Sequence, residues 1–479
     1  MTLQFTKKLF YTLALIPFLF FASACSEKPT PKAEPSPAAP AAKPTNTGSD
    51  NTLLSKLEQR AKAGYGVGYA AVIVDGDKIE FINAGLADKK TGQKITEDSL
   101  FEIGSITKTF TALLLADMAL KGELSLDDPA SKYLPASVTM PRYEGKDITL
   151  RHLATHTSAL PRLPSNLKPA NLKNPYADYT PALMYDFLSN HELKRPVGET
   201  IEYSNLGMGL LGHILELKTG LSYEDLVAER ILAPLGMSNT FIAITEDNRT
   251  NLTTGHGGAG QTAQHWDFGE LAGAGALRSS SADMTLYLRA NMGLTETPLF
   301  AAMELSHEFQ LDMPQAGHYI GLAWFTNKTK SGDIIWHNGA TYGYQSFIGF
   351  DKAKGRGVIV LTNSQDNAER IGKAAFKNTP DDIAVSQENK DITFTQDELE
   401  NYVGAYPLVP EFVITITRQD TSLFAQATGQ AKFPIYAKSK TEFFYKVVDA
   451  QITFNINSDG KIDALTLNQN GQTLKAPKQ

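Results

Sequence analysis

The chain has 479 residues, with 45 Lys and Arg against 52 Asp and Glu, and a formal net charge of −7. A mildly acidic chain without a basic stripe is not built to bind nucleic acid, and a single cysteine permits no internal disulfide in any compartment. The roughly 430 residues beyond the N-terminal segment suffice for a large core and more than one domain.

Residues 1–24 read as a secretory signal. Lys7 and Lys8 form a positive n-region, residues 9–21 a short apolar run interrupted by Pro17, and Ala22-Ser23-Ala24 a small-residue site before Cys25. An uncleaved anchor is the alternative, but the run is shorter than the roughly 20 residues a spanning helix needs. The pattern resembles a bacterial lipoprotein signal. That resemblance implies lipidation of Cys25, attachment to a membrane through the N-terminal lipid, and a periplasmic address in the bacterial cell envelope. Ser26, where an aspartate would retain the protein at the inner membrane, favours the outer membrane by analogy. Residues 25–50 are rich in Pro, Ala and Lys without apolar periodicity and are expected to be a disordered tether.

A short helix is expected over residues 53–63, then a hairpin of strands 69–75 and 78–84 across Asp75-Gly76-Asp77. An apolar helix covers 109–120. The middle is largely helical, with segments 149–155, 181–188, 206–219, 223–232 and 281–292. Strands return at 332–337, 344–350 and 357–363. A sheet drawn from both ends of a domain with helices between is an α+β arrangement, an antiparallel sheet with a helical subdomain, over residues 51–375. A polar, exposed linker is expected at 378–391. From residue 395 to 479 short alternating runs (412–417, 423–427, 442–447, 452–456, 462–467) read as a small antiparallel β domain.

Ser105 and Lys108 stand at the lip of the apolar helix 109–120. Residues three apart share a helix face, so the lysine amine can reach the serine hydroxyl. The positive end of the helix dipole disfavours a second cation nearby, which eases loss of the lysine's proton and suits a nucleophilic serine. Ser165–Lys168 and Ser458–Lys461 repeat the spacing in turns and open no apolar helix. Tyr203-Ser204-Asn205 lies at a loop-to-helix corner; a tyrosine near a lysine can keep its phenol partly deprotonated and shuttle a proton, and the Asn205 amide can bind a substrate carbonyl. The structural alternative is a core-edge tyrosine with Asn205 capping the helix. His337-Asn338-Gly339 ends a strand. There Ala340 can supply a second N–H facing that of Ser105 for an oxyanion, while Gly339 leaves room for substrate. Lys90-Thr91-Gly92 and Lys218-Thr219-Gly220 lie in a turn and at a helix end, and His256-Gly257-Gly258 follows no strand. None of the nine histidines has a metal-ligand spacing with a partnering acid; His152 and His156, four apart, suit packing, so no metal and no cofactor is expected.

Taken in order, Ser105-x-x-Lys108, Tyr203-x-Asn205 and His337-x-Gly339 resemble the serine hydrolases that group class C β-lactamases with low-molecular-mass penicillin-binding proteins, D-amino-acid peptidases and related esterases. The likeness extends over about residues 55–370. It includes ITLRHLATHT (148–157), YSNLG (203–207), ILAPLGM (231–237) and residues 336–351. Residues 402–406 (YVGAY) resemble the lipocalin-like β domains that some members carry. The resemblance implies an acyl-enzyme on Ser105, with Lys108 and Tyr203 as bases and Asn205, His337, Gly339 and Ala340 binding substrate. Two departures stand out: Thr107 replaces the usual serine or alanine, and His337 replaces the lysine of Lys-Thr-Gly, leaving a weaker attraction for a substrate carboxylate. Three readings follow. The first is an amide hydrolase on β-lactams or D-Ala-type peptides, the second a carboxylesterase, and the third a penicillin-binding envelope protein without turnover.

Overall fold

Alternation of apolar side chains between two faces organises the main sheet. The structure, a computed structural model, describes residues 51–258, 260–330, 332–386, 391–409, 412–429, 432–446, 450–469 and 472–479. The expected signal peptide, Cys25 and the tether lie outside the described residues. β1 (Gly68–Asp75) and β2 (Lys78–Gly85) form the expected hairpin. β3 (Leu100–Glu102) pairs with β4 (Arg278–Ser280) in a separate two-stranded ladder. β5 (Leu311–Asp312), β6 (His318–Ile320), β7 (Phe325–Thr329), β8 (Gly332–Ala340), β9 (Gln345–Asp351) and β10 (Arg356–Thr362) complete the main sheet, in the order β2-β1-β10-β9-β8-β7-β6-β5. All its pairs are antiparallel, and Tyr69 stands opposite Thr362 across the join between the two ends of the domain.

Along β1, Ala70, Val72 and Val74 face one core and Tyr69 and Ala71 the other, as a two-residue side-chain period requires. The first core is shared with the helical middle. It contains α2 (Thr107–Leu120), in which every residue from Thr107 to Met118 is buried, so that helix is enclosed on all sides. The second core is covered by α1 (Leu53–Ala63) and the helix Ala368–Lys377. α3 (Leu150–Ala154), α4 (Pro181–Asn190) and α5 (Asn205–Thr219) follow the expected segments within two residues. The expected helix 223–232 is α-helical only over Tyr223–Val227 and widens to a π-helical turn over Ala228–Leu232.

Two expectations need correction. The segment after residue 378 is not simply exposed: Ile383 is fully buried, its carbonyl accepts a bond from Arg60 Nη1 at 2.6 Å, and Tyr65 and Ser386 exchange hydrogen bonds. The C-terminal sheet also has more strands than the alternation indicates. Gly404–Val409, Lys432–Ala437 and Gln472–Pro477 join the five expected ones, and the strand expected over 442–447 ends at Phe444. Its eight strands run antiparallel in sequence order, and Gln479 N–H donates to the Ala405 carbonyl at 2.8 Å, bringing the last strand back to the first. The result is a nearly closed up-and-down β-barrel, which leaves little exposed strand edge.

Candidate active site

Backbone contact between two segments far apart in sequence builds the centre of the site. Gly104 has φ of +52° and begins a 3₁₀ turn, Gly104–Ile106, that leads into α2 and carries Ser105. A Cβ on Gly104 would lie 2.8 Å from Ala340 N; one on Gly339 would lie 2.0 Å from the Ile103 carbonyl oxygen and 2.9 Å from Ser105 N. Only glycine permits this approach. The Ser346 hydroxyl, opposite Gly339 in the β8–β9 ladder, donates to the Ile103 carbonyl at 2.7 Å and locks the turn onto the sheet. Gly339 therefore makes room for the nucleophile's own backbone rather than for substrate, which corrects the sequence expectation. The same contact sets the Ala340 backbone nitrogen beside the Ser105 turn.

Lys108 lies one turn beyond Ser105, at the start of α2, fully buried, with Nζ 3.0 Å from Ser105 Oγ. Its amine donates to the Ala274 carbonyl at 2.6 Å. Burial, and secondarily the charge of Arg162, hold its pKa well below that of a free lysine, and no carboxylate opposes that shift. The cause is thus desolvation rather than the helix dipole that the sequence suggested. Ala274 is held in place from α2 itself: Thr111 Oγ1 donates to the Gly273 carbonyl at 2.7 Å, and Leu277 N–H donates to Thr107 Oγ1 at 3.1 Å. Thr107 thereby acquires a structural role as the anchor of the strip that receives the lysine.

The Tyr203 ring lies beneath the lysine, with Lys108 Nζ 4.8 Å from its centroid. Burial pushes the phenol up to about 12 despite a hydrogen bond with Ser105, so it stays protonated in the free enzyme. The expected partly deprotonated phenol is corrected accordingly: burial disfavours the charged form of both groups, raising the phenol and lowering the lysine, so the lysine is the better base. Tyr203 is gripped from both sides by His156. Ser204 N–H donates to His156 Nδ1 at 3.2 Å, Glu202 N–H donates to the His156 carbonyl at 2.8 Å, and the two rings lie 4.4 Å apart. His156 takes a left-handed φ of +57°, the backbone strain a functional corner tolerates. Its spacing to His152 reflects separate packing roles, since His152 Nδ1 closes the N-terminal cap of α3.

Ser204, not Asn205, caps α5, accepting the Gly207 N–H at 2.8 Å. Asn205 Oδ1 is buried and has no partner among the described residues, which leaves it available to a ligand. His337 is fully buried beside Tyr203 and Phe325, at 6.3 and 5.3 Å between ring centroids. Burial, then the neighbouring Lys108, lowers its pKa to about 3, so the imidazole is neutral. The structure therefore brings together Ser105, Lys108, Tyr203, Asn205, His337, Gly339 and Ala340. The sequence did not single out His156, Ser346 or the Ala274 carbonyl. The Ala274 carbonyl leaves no residue-type signal, the Ser346 hydroxyl bonds a carbonyl more than 200 residues away, and His156 looked like a packing residue.

The rejected motifs sit elsewhere. Lys90 and Thr91 cap a turn on Asp88, and Gly220 ends α5. His256 lines a neighbouring cavity of about 280 Å³ with Tyr65, Lys89 and Ser364. Among the described residues, His213, Glu216 and Glu270 could together hold a cation, but they form an ion-pair cluster in which His213 carries the charge.

Residues 54–378 match the Beta-lactamase family, about two thirds of the chain. The chain belongs to the beta-lactamase family. Residues 388–476 match a domain of unknown function, DUF3471, which covers the nearly closed barrel. A beta-lactamase of Pseudomonas fluorescens is 30% identical over 359 residues, spanning 68% of this chain and 95% of that protein. The D-alanyl-D-alanine-carboxypeptidase/endopeptidase AmpH of Escherichia coli K12 is 29% identical over 329 residues, 66% of this chain and 83% of its own. A class C beta lactamase of Rhodobacter sphaeroides superposes with a TM-score of 0.60 at 24% identity, covering 69% of this chain and 98% of that one. A beta-lactamase/D-alanine carboxypeptidase of Yersinia pestis, complexed with citrate, gives 0.59 at 25% identity with the same coverage. This member of the family is a serine hydrolase, with the α+β domain of the class C structures followed by a β-barrel domain.

Proposed function

We propose that the protein is an envelope-anchored serine hydrolase that cleaves β-lactam or D-Ala-type peptide amides through an acyl-enzyme on Ser105. The observation that carries this reading is the buried Lys108 amine, 3.0 Å from Ser105 Oγ, held by burial well below the pKa of a free lysine and without a carboxylate partner among the described residues. As Ser105 Oγ forms its bond to the carbonyl carbon, its proton passes to the Lys108 nitrogen. The N–H groups of Ser105 and Ala340 receive the negative oxygen. Collapse breaks the carbonyl C–N bond. Tyr203, protonated up to about pH 12, gives its proton to the departing nitrogen and is reprotonated from Lys108. A water then attacks the ester carbonyl and loses its proton to Lys108, which returns it to Ser105 Oγ as the acyl C–O bond breaks. Asn205 Oδ1 accepts an N–H from the substrate. His337, neutral, accepts or donates a hydrogen bond but offers no charge.

Cys25 carries the lipid in this reading and the N-terminal tether holds the enzyme in the periplasm at the outer membrane; metabolic labelling with palmitate, lost in Cys25→Ala, tests it. Activity is tested by labelling with a fluorescent penicillin and a fluorophosphonate, both lost in Ser105→Ala. Absence of labelling by either probe in the wild type would leave only the non-catalytic reading. The esterase alternative rests on the missing lysine at His337. It is separated by comparing kcat/KM for a cephalosporin, a D-Ala anilide and a short p-nitrophenyl ester.

A further inference from the structure

We propose that Arg162 is the receptor for an anionic group of the substrate, supplying the positive charge that the His337 position lacks, so that the enzyme selects carboxylate-bearing acyl compounds. This rests on the hydrolase reading above. Three potential cations line the site among the described residues, and burial works against a charge on each: Lys108, His156 and His337 are all fully buried, and that burial lowers the pKa of all three. Arg162 is different. Its side chain is exposed, and its guanidinium carbon lies 5.1 Å from the centroid of the Tyr203 ring, stacked on the residue that hydrogen-bonds Ser105.

The guanidinium is held in register with the site from behind. The Arg162 carbonyl accepts N–H bonds from Asn205 at 3.0 Å and Leu206 at 3.2 Å, tying it to the turn that carries Tyr203 and Asn205. Arg60, Arg151, Arg195, Arg230 and Arg278 are each ion-paired with a carboxylate. Among the described residues Arg162 has no such partner, although a planar guanidinium is suited to a bidentate carboxylate. Beside it, Tyr176 stacks on Phe268 at 5.0 Å and meets Trp266 edge-on at 5.3 Å, an aromatic wall next to Asn205. A substrate lying on that wall, with its scissile carbonyl at Ser105, brings a carboxylate one or two residue lengths away, each about 3.5 Å, to the guanidinium.

The test is the ratio of kcat/KM for a cephalosporin with a free carboxylate to that for its methyl ester, in wild type, R162Q and R162K. It is paired with inhibition by 3-carboxyphenylboronate and phenylboronate. We expect the ratio to fall about 10- to 100-fold in R162Q and to recover partly in R162K, with the carboxylated boronate losing its advantage by a similar factor. A ratio unchanged in R162Q overturns the proposal, whether both constants fall together, as they would if Arg162 only propped Tyr203, or neither moves. Fluorophosphonate labelling of wild-type Ser105 separates the two levels. With labelling and an unchanged ratio only the Arg162 assignment fails; without labelling the hydrolase reading fails and takes the assignment with it.

Discussion

Lys108 Nζ sits between two oxygens of opposite character: 3.0 Å from the Ser105 hydroxyl that it can deprotonate and 2.6 Å from the Ala274 carbonyl to which it donates. The bond to the carbonyl holds the amine beside Ser105, within reach of the serine proton. Lys108→Arg fixes a positive charge that cannot be deprotonated, and should lower kcat roughly 10²–10⁴-fold. The pH profile of the wild type should lose activity on its acid limb, because protonation of Lys108 removes the base and its folded pKa is lowered by burial. Activity of the arginine variant equal to wild type would remove Lys108 from the mechanism.

Tyr203 should matter in proportion to how badly the leaving group needs a proton. Tyr203→Phe is expected to reduce kcat for an amide by roughly 10²–10³-fold and to spare much more of the rate on a p-nitrophenyl ester, whose leaving group departs as an anion. Since burial holds the phenol at about 12, no loss of rate on the alkaline side below that value belongs to Tyr203. Steady-state kinetics on both substrates check the two statements together.

Gly339→Ala places a methyl group 2.0 Å from the Ile103 carbonyl oxygen, a contact only backbone movement relieves. The Ser105 turn and the Ala340 nitrogen should separate, and loss of one oxyanion donor costs about 10²–10³-fold in kcat. Ser346→Ala removes the 2.7 Å bond to the same carbonyl and leaves it only the longer 3.3 Å bond from Ile106 N–H, at a cost of about 0.5–1.5 kcal/mol in stability. Acylation rates from stopped-flow and unfolding in urea report the two effects separately.

Arg60 and Asp366 form a buried bidentate pair at 2.6 and 2.7 Å, with the Tyr69 hydroxyl donating to the same carboxylate at 2.6 Å. The pair ties α1 to the end of the central strand β10. Arg60→Ala strands a buried carboxylate and should destabilise the catalytic domain by about 3–5 kcal/mol. A loss below 1 kcal/mol in chemical denaturation would mean that the carboxylate finds another partner or a proton.

His213 reports on alkaline stability. Burial opposes its charged form, but Glu216, Glu270 and Tyr185 outweigh burial and raise its pKa from 6.5 to about 10. A raised folded pKa gives stability that is complete below 6.5 and lost as pH climbs to about 10. Glu270 belongs to the 3₁₀ segment Gly269–Ala274, which also carries the carbonyl that receives Lys108. Melting temperature should therefore decline over that window, and the slope should largely disappear in His213→Gln.

Much of the catalytic domain was legible because its pattern is local. The helix Leu53–Ala63 agrees residue for residue with the expected one, and β1 and β2 extend the expected hairpin by one residue each. The short strands β3 to β7, two to five residues each, were not legible, since too few residues alternate to show a period. The helix Ala368–Lys377 and the burial of Ile383 were missed for a related reason. A polar-looking stretch can be buried when a distant partner, here Arg60, satisfies its carbonyl.

By itself the sequence determined which chemical groups are present and which of three Ser-x-x-Lys matches opens a buried helix, because helix periodicity and motif spacing are properties of neighbouring residues. Only the tertiary structure decided their protonation and orientation. The lowered pKa of the lysine, the protonated tyrosine, the glycine contact between Gly104 and Ala340 and the unpaired guanidinium of Arg162 each depend on which atoms surround a group and exclude water from it. Those surroundings are drawn from segments more than 40 residues apart, whose proximity no local pattern records.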